Sequence, residues 1–287
     1  MKKLLLVVVL LSTLVLTGCF KRDEMENINI ITTVYPIEYI TSRLYGDSSS
    51  ISSIYPKAVD YTSYTMTNKQ IKDYSNKDLF IYNGLDFERE YATTFLNKNK
   101  KLKIIDASYG ISYNYNSEEV WLNPSNMLMM AQNIRNDLQN YISNPYLIEE
   151  INDDYEELKV DITQIDTELT LVASASENKQ IIVADETLNF LSKYEFSVIN
   201  LYEKDAVVDK NMKLAESLFK NKTLSYIFVM DDEELSKDIQ KLVDTYEIEV
   251  LSINTLATIS DEDLSSSEDY LSIMYNNISQ IKKETFN

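Results

Sequence analysis

The 287-residue chain contains no histidine. That removes imidazole as general base, proton shuttle and metal ligand. Its one cysteine, Cys19, excludes an internal disulfide, so the core alone must stabilise the fold. It also leaves the body of the chain without a thiol nucleophile. Only four glycines are present, and none forms a GxGxxG or GxxxxGK run that would cradle phosphates. Positive charge is scarce: 27 Lys and Arg stand against 46 Asp and Glu, a net charge of −19. Such a balance disfavours nucleic acid and anionic membrane as partners, and it concentrates cations near the surface. The carboxylates show no spacing that suggests an acid–base pair. Glu118/Glu119, Asp231–Glu234 and Asp261–Asp263 read as acidic surface or helix starts. The chain therefore reads as a binding protein rather than an enzyme.

What is present begins with MKKLLLVVVLLSTLVLTGC over residues 1–19. Lys2 and Lys3 precede an apolar run, Leu4 to Leu16, that is too short to span a bilayer comfortably and suits a cleaved signal peptide. Leu16-Thr17-Gly18-Cys19 resembles a bacterial lipobox, which implies a signal peptide over 1–18 and a diacylglyceryl chain on the Cys19 sulfur. The expected location is the extracytoplasmic face of the cell membrane, held by the lipid anchor alone, with a polar tether completing 19–27.

From Ile28 short apolar runs alternate with helical periodicities. Strands are expected at Ile28–Val34, Ser50–Tyr55, Leu79–Tyr82 and Lys103–Ile105, with helices at Ile37–Tyr45, Asn68–Tyr74 and Phe87–Asn97 between them. A helix over Asn126–Ile142 follows. Ile148, Ile151, Tyr155, Leu158, Ile162, Ile165 and Leu169 then recur every three or four residues, predicting one helix over Leu147–Leu171, about 37 Å long. Strands at Gln180–Ala184, Phe196–Asn200, Ser225–Met230 and Ile248–Ile253 alternate with helices at Glu186–Lys193, Asn211–Lys220, Asp232–Tyr246 and Asp269–Lys283. The reading is α/β: two Rossmann-like lobes with central, mostly parallel sheets, at 28–145 and 174–287, joined by one long rigid interlobe helix over 146–173. A ligand is expected in the cleft beyond the carboxyl ends of the strands.

Four segments carry a family resemblance: ITTVYPIEYI (31–40), KDLFIYNGLDFE (77–88), VWLNP (120–124) and YLSIMYNNISQI (270–281). They resemble stretches of the bacterial ABC-transporter solute-binding lipoproteins for zinc and manganese. The resemblance implies a monomeric extracytoplasmic receptor that holds a divalent metal between its lobes and delivers it to an ABC permease. Some members of that family are described as adhesins. Four ligands, mostly histidines with a closing acid, hold the metal in the family. Position by position they fall on Thr62, Glu119, Asp185 and Asn254. Two carboxylates, a hydroxyl and an amide disfavour tight zinc capture and suit harder ions such as Mn²⁺, Mg²⁺ or Ca²⁺. A degenerate member that binds another solute, or acts as a surface interaction protein, is the alternative. Tyr61 and Tyr64 flank the first position as candidate cleft-lining groups, and Trp121 reads as core.

Overall fold

The computed structural model describes residues 25–85, 87–112, 119–204, 206–231 and 234–286. The expected signal peptide, Cys19 and the first part of the tether lie outside them. Packing begins earlier than the tether over 19–27 implies. Met25 is fully buried, its carbonyl accepts from the Tyr45 hydroxyl, and Asn27 N–H donates to Ser48 O at 2.8 Å.

In the N-terminal lobe, β1 (Ile28–Thr32), α1 (Tyr35–Tyr45), β2 (Ser49–Ser53), α2 (Asn68–Ser75), β3 (Leu79–Tyr82), α3 (Glu88–Lys98) and β4 (Lys103–Asp106) alternate as expected. The strands pair in parallel in the order β2-β1-β3-β4. Central β3 is buried at every position, as a sheet covered on both faces requires. The YNGL turn after it depends on a close approach. A Cβ on Gly84 would lie 2.0 Å from an Asp106 carboxylate oxygen, and that carboxylate accepts the Gly84 and Ser108 N–H groups at 3.1 and 3.0 Å.

Val120–Leu122, apolar throughout, winds as a 3₁₀ turn. It leads into α4 (Pro124–Tyr141), which is followed by α5 (Pro145–Ala175). Both helices start on an Asn-Pro pair. The Asn123 and Asn144 side chains accept from Ser125 N–H and Tyr146 N–H, and proline fills the first helical position, where no donor is needed. With 31 residues, α5 extends to about 46 Å. Its buried stripe is Leu147, Ile151, Tyr155, Leu158, Ile162, Ile165 and Leu169, and Ile148 sits half-buried at its edge.

The C-terminal lobe holds β5 (Gln180–Val183), a 3₁₀ segment (Thr187–Tyr194), β6 (Ser197–Asn200), a small antiparallel ribbon of β7 (Tyr202–Glu203) and β8 (Ala206–Val207), and α6 (Asp209–Lys220). It continues through β9 (Tyr226–Met230), α7 (Lys237–Tyr246), β10 (Glu249–Ile253), α8 (Asp261–Ser265) and α9 (Tyr270–Thr285). The parallel order is β10-β9-β5-β6. An α-helix was expected over Glu186–Lys193. The 3₁₀ winding replaces it because Thr187, Leu188, Phe190, Leu191 and Tyr194 are all buried, a wider apolar face than one α-helical stripe presents. The start of α7 moves to Lys237, where the Ser236 hydroxyl caps Ile239 N–H.

Alternation along the second sheet sorts its side chains. Ile181, Val183, Phe228, Met230, Leu251 and Ile253 join a core that includes α5 and α9, while Ile182, Ile227 and Val229 pack with Ala215, Phe219, Ile239 and Leu242 of α6 and α7. The first of these cores runs without a break from Met25 to Ile281, so both lobes share it.

Candidate functional site

Strand order locates the crevices. In the N-terminal lobe the chain steps outward in opposite directions from β1 and β3, and in the C-terminal lobe from β5 and β9. Ligand sites of open α/β sheets form at such reversals, beyond the carboxyl ends of the strands. Thr33 and Asn83 end the first pair, with Asn83 N–H donating to both Thr33 Oγ1 (3.3 Å) and the buried Glu88 carboxylate (2.8 Å). Asp185 and Asp231 end the second pair.

The first family position lies on the loop after β2. Asp60 organises this loop: one carboxylate oxygen accepts Thr62 N–H and Thr62 Oγ1 at 2.9 and 2.6 Å, and the other accepts Ser63 Oγ at 2.6 Å. Those hydroxyls of Ser63 and Thr62 hold the Asp60 carboxyl below its ordinary range. Thr62 is exposed, with its hydroxyl turned to Asp60. Tyr61 is buried. Its ring stacks on Phe87 and meets the edge of Tyr55, and its hydroxyl donates to Glu119 at 3.2 Å. Tyr64 is half-buried, packs edge-on against Tyr55, and accepts from Gln70 Nε2 at 2.7 Å.

Glu119 is half-buried at the start of the 3₁₀ turn. Two residues on, Trp121 is fully buried, and its indole N–H donates to Thr255 O at 2.7 Å while its own carbonyl accepts from Tyr270 OH at 2.7 Å. The second and fourth positions thus stand on segments that the indole ties together.

Asp185 follows β5. One carboxylate oxygen accepts Thr187 N–H at 2.6 Å, and the other, Oδ2, is buried with no hydrogen-bond partner among the described residues. A buried carboxylate oxygen without a donor is costly, and a bound cation would relieve it. Asn254 differs. Its amide oxygen accepts Leu256 N–H at 2.8 Å, closing an Asx turn that holds Leu256 at φ +60°. Asn277 of α9 grips the Asn254 backbone from behind, accepting its N–H and donating to its carbonyl, each at 2.9 Å. The Asn254 side chain is therefore spent on shaping the loop.

Sequence reasoning placed Asp231 in an acidic surface or helix-start run. It ends β9, between the strands that carry Asp185 and Asn254, and accepts Thr255 N–H at 3.1 Å. The signal was available: an acid directly after the apolar run YIFVM repeats the pattern of Asp185 after IIVA. Asn277, also missed, lies in the YLSIMYNNISQI segment. Among the described residues, no group of three or more Asp, Glu, His or Cys is placed to hold a metal ion.

Comparison with known proteins adds identity to this geometry. The zinc-binding lipoprotein AdcA of Streptococcus pneumoniae is 22% identical over 323 residues, covering 99% of this chain and 61% of AdcA, so the chain spans about three fifths of that relative. The high-affinity zinc uptake system protein ZnuA of Bacillus subtilis is 23% identical over 290 residues, 90% of this chain and 87% of that protein. The crystal structure of the Zn(II)-bound ZnuA-like domain of Streptococcus pneumoniae AdcA superposes with a TM-score of 0.75 at 19% identity, over 91% of this chain and all of that domain, and so shares the fold. The family model described as ZnuA, zinc-uptake complex component A, periplasmic, matches residues 30–284, and the chain belongs to that family.

Proposed function

We propose that this chain is the extracytoplasmic solute-binding component of a metal-type ABC importer, anchored by lipid at Cys19 and passing its cargo to a membrane permease. The observation that carries the reading is the family match across almost all of the described chain, together with a fold that keeps the crevices of both lobes. The cargo is a divalent cation, received at the carboxyl ends of β5 and β9. Asp185 Oδ2, buried and without a partner among the described residues, is the group best prepared for it, and Glu119 is the other carboxylate among the family positions. Carboxylates without imidazole favour Mn²⁺, Mg²⁺ or Ca²⁺ over Zn²⁺. Thermal unfolding of chelator-stripped protein across these four ions tests the reading. A rise with one ion at micromolar concentration, lost in Glu119→Ala/Asp185→Ala, supports it, and an unchanged midpoint with every ion refutes the metal step. Labelling with a lipid precursor tests the anchor, which is wrong if Cys19→Ser protein still labels and stays in the membrane.

A second reading has its own support. Thr62 is turned to Asp60, the Asn254 amide oxygen is engaged by its own loop, and no acid trio is assembled among the described residues. These features suit a member that has given up metal and serves as a surface interaction protein. Recovery of a non-transporter partner from intact cells, with no metal response, favours it over the first.

A further inference from the structure

A cavity of about 320 Å³ opens where α1, the end of β2 and the segment 257–259 of the C-terminal lobe meet. That volume lies at the lower end of the range for small-molecule sites. None of the four family positions lines it. Its chemistry is uneven in one direction. Tyr35 and Tyr55 give it an aromatic wall, and Ala257 and Ile259 an apolar one. The Tyr55 phenol oxygen is engaged away from it, donating to the buried Glu88 at 2.9 Å. That leaves the Tyr55 ring to the cavity.

Two charged side chains reach the lining, Glu38 and Lys57. Lys57 is already paired, its ammonium 2.6 Å from Asp261. Among the described residues no hydrogen bond to the Glu38 carboxylate is formed. With Lys57 held by Asp261, Glu38 is the one carboxylate that lines the cavity, set against tyrosine and aliphatic walls. Burial raises the Glu38 carboxyl above its ordinary value, and the nearby Lys57 only partly opposes this.

We propose that this cavity binds a small organic ammonium ion, its charge on Glu38 and its alkyl body against Tyr35, Tyr55 and Ile259. A carboxylate held in a half-closed pocket attracts a cation, and the negative face of a tyrosine ring adds to that attraction. An inorganic cation fits less well, because the walls offer few oxygen donors to replace its water. A zwitterion would require Lys57 to leave Asp261. Because the walls come from both lobes, an occupant would pin 257–259 to the N-terminal lobe, beside the Asn254 turn.

The test is calorimetric titration of the full-length protein in detergent with choline and putrescine, with glycine betaine and glucose as zwitterionic and neutral controls. The expected result is saturable one-to-one binding of choline or putrescine, at least tenfold weaker in Glu38→Gln, and no binding of the controls. Ser52→Trp, a substitution at an exposed lining residue away from the core, should block binding while the unfolding midpoint stays unchanged. No saturable ammonium binding, equal affinity in Glu38→Gln, or undiminished binding in Ser52→Trp would each overturn the proposal. A metal response lost in Glu119→Ala/Asp185→Ala, with ammonium binding intact in the same protein, would separate the two sites.

Discussion

Replacing Asn277 by alanine should destabilise the protein through a loop it does not belong to. The carboxamide makes two hydrogen bonds of 2.9 Å, to both backbone groups of Asn254, and Asn277 itself is buried. Truncation leaves that N–H and C=O without their partner. Each such group costs about 1–3 kcal/mol when buried. Asn254 is half-exposed and water can recover part of the loss, so the lower half of that range applies. Together they cost about 2–4 kcal/mol. For a chain of this size each kcal/mol moves the midpoint by about 2–4 °C, so a fall of about 8 °C is expected. A single transition is expected too, because the two lobes share one core. Trp121 is the only tryptophan and its indole N–H is bonded to the next residue of the same loop, Thr255, so its fluorescence reports the loop directly. The variant should emit further to the red before unfolding begins. A midpoint within 2 °C of the parent with unchanged emission would refute the reasoning.

Gly84→Ala should cost about 2–4 kcal/mol in chemical denaturation, because the added methyl displaces an Asp106 carboxylate that two backbone N–H groups hold in place. A loss below 1 kcal/mol would show that the turn has room to shift. Glu38→Gln should remove one source of stability loss with rising pH. Burial raises the folded-state carboxyl above 4.5, so its favourable contribution is complete below that pH and is lost as pH rises through the raised value. The variant should therefore gain on the parent as pH climbs from 4.5, and parallel curves would count against this. Tyr61→Phe removes one partner of Glu119 and should leave stability within about 1 kcal/mol, since the ring contacts with Phe87 and Tyr55 remain.

Most of the architecture was legible because burial writes a period into the chain. The stripe of α5 was visible from Ile151 to Leu169, and the apolar runs of β3 and β9 could only be central strands. Errors fall where a tertiary contact decides the local winding. Val120–Leu122 has the composition of a strand, yet it turns because the Trp121 indole must reach Thr255 and its carbonyl must meet Tyr270, both far away in sequence. The Thr187–Tyr194 segment has helical spacing but buries too many of its residues for one stripe. For the site, residue types could be aligned but not their hydrogen bonds. Nothing local tells that the Asn254 oxygen is committed to Leu256, that Thr62 is turned to Asp60, or that one oxygen of Asp185 is left over.

Those commitments change how such a protein would take up a ligand. Lobes that swing apart need an interface that can be broken at small cost, and here the ties are buried and shared. Trp121 to Thr255, Tyr270 to Trp121 and Tyr35 N–H to Ala257 O (2.9 Å) all cross between the lobes, inside a core that includes both sheets and α5. Ion pairs from α1 and α9 to α5, Arg43–Asp161 and Lys282–Glu168, add to this from the outside, each worth about 0–1 kcal/mol at their partial exposure. Opening the lobes as rigid bodies would strip several buried hydrogen bonds at once. The loop from Pro56 to Thr67 is different: apart from Tyr61 and Met66 its side chains are exposed or half-exposed, and Asp60 holds its tip with hydrogen bonds to Thr62 and Ser63. The family position at Thr62 lies on this exposed loop, while the position at Asn254 lies on the segment that Trp121 and Asn277 hold in place.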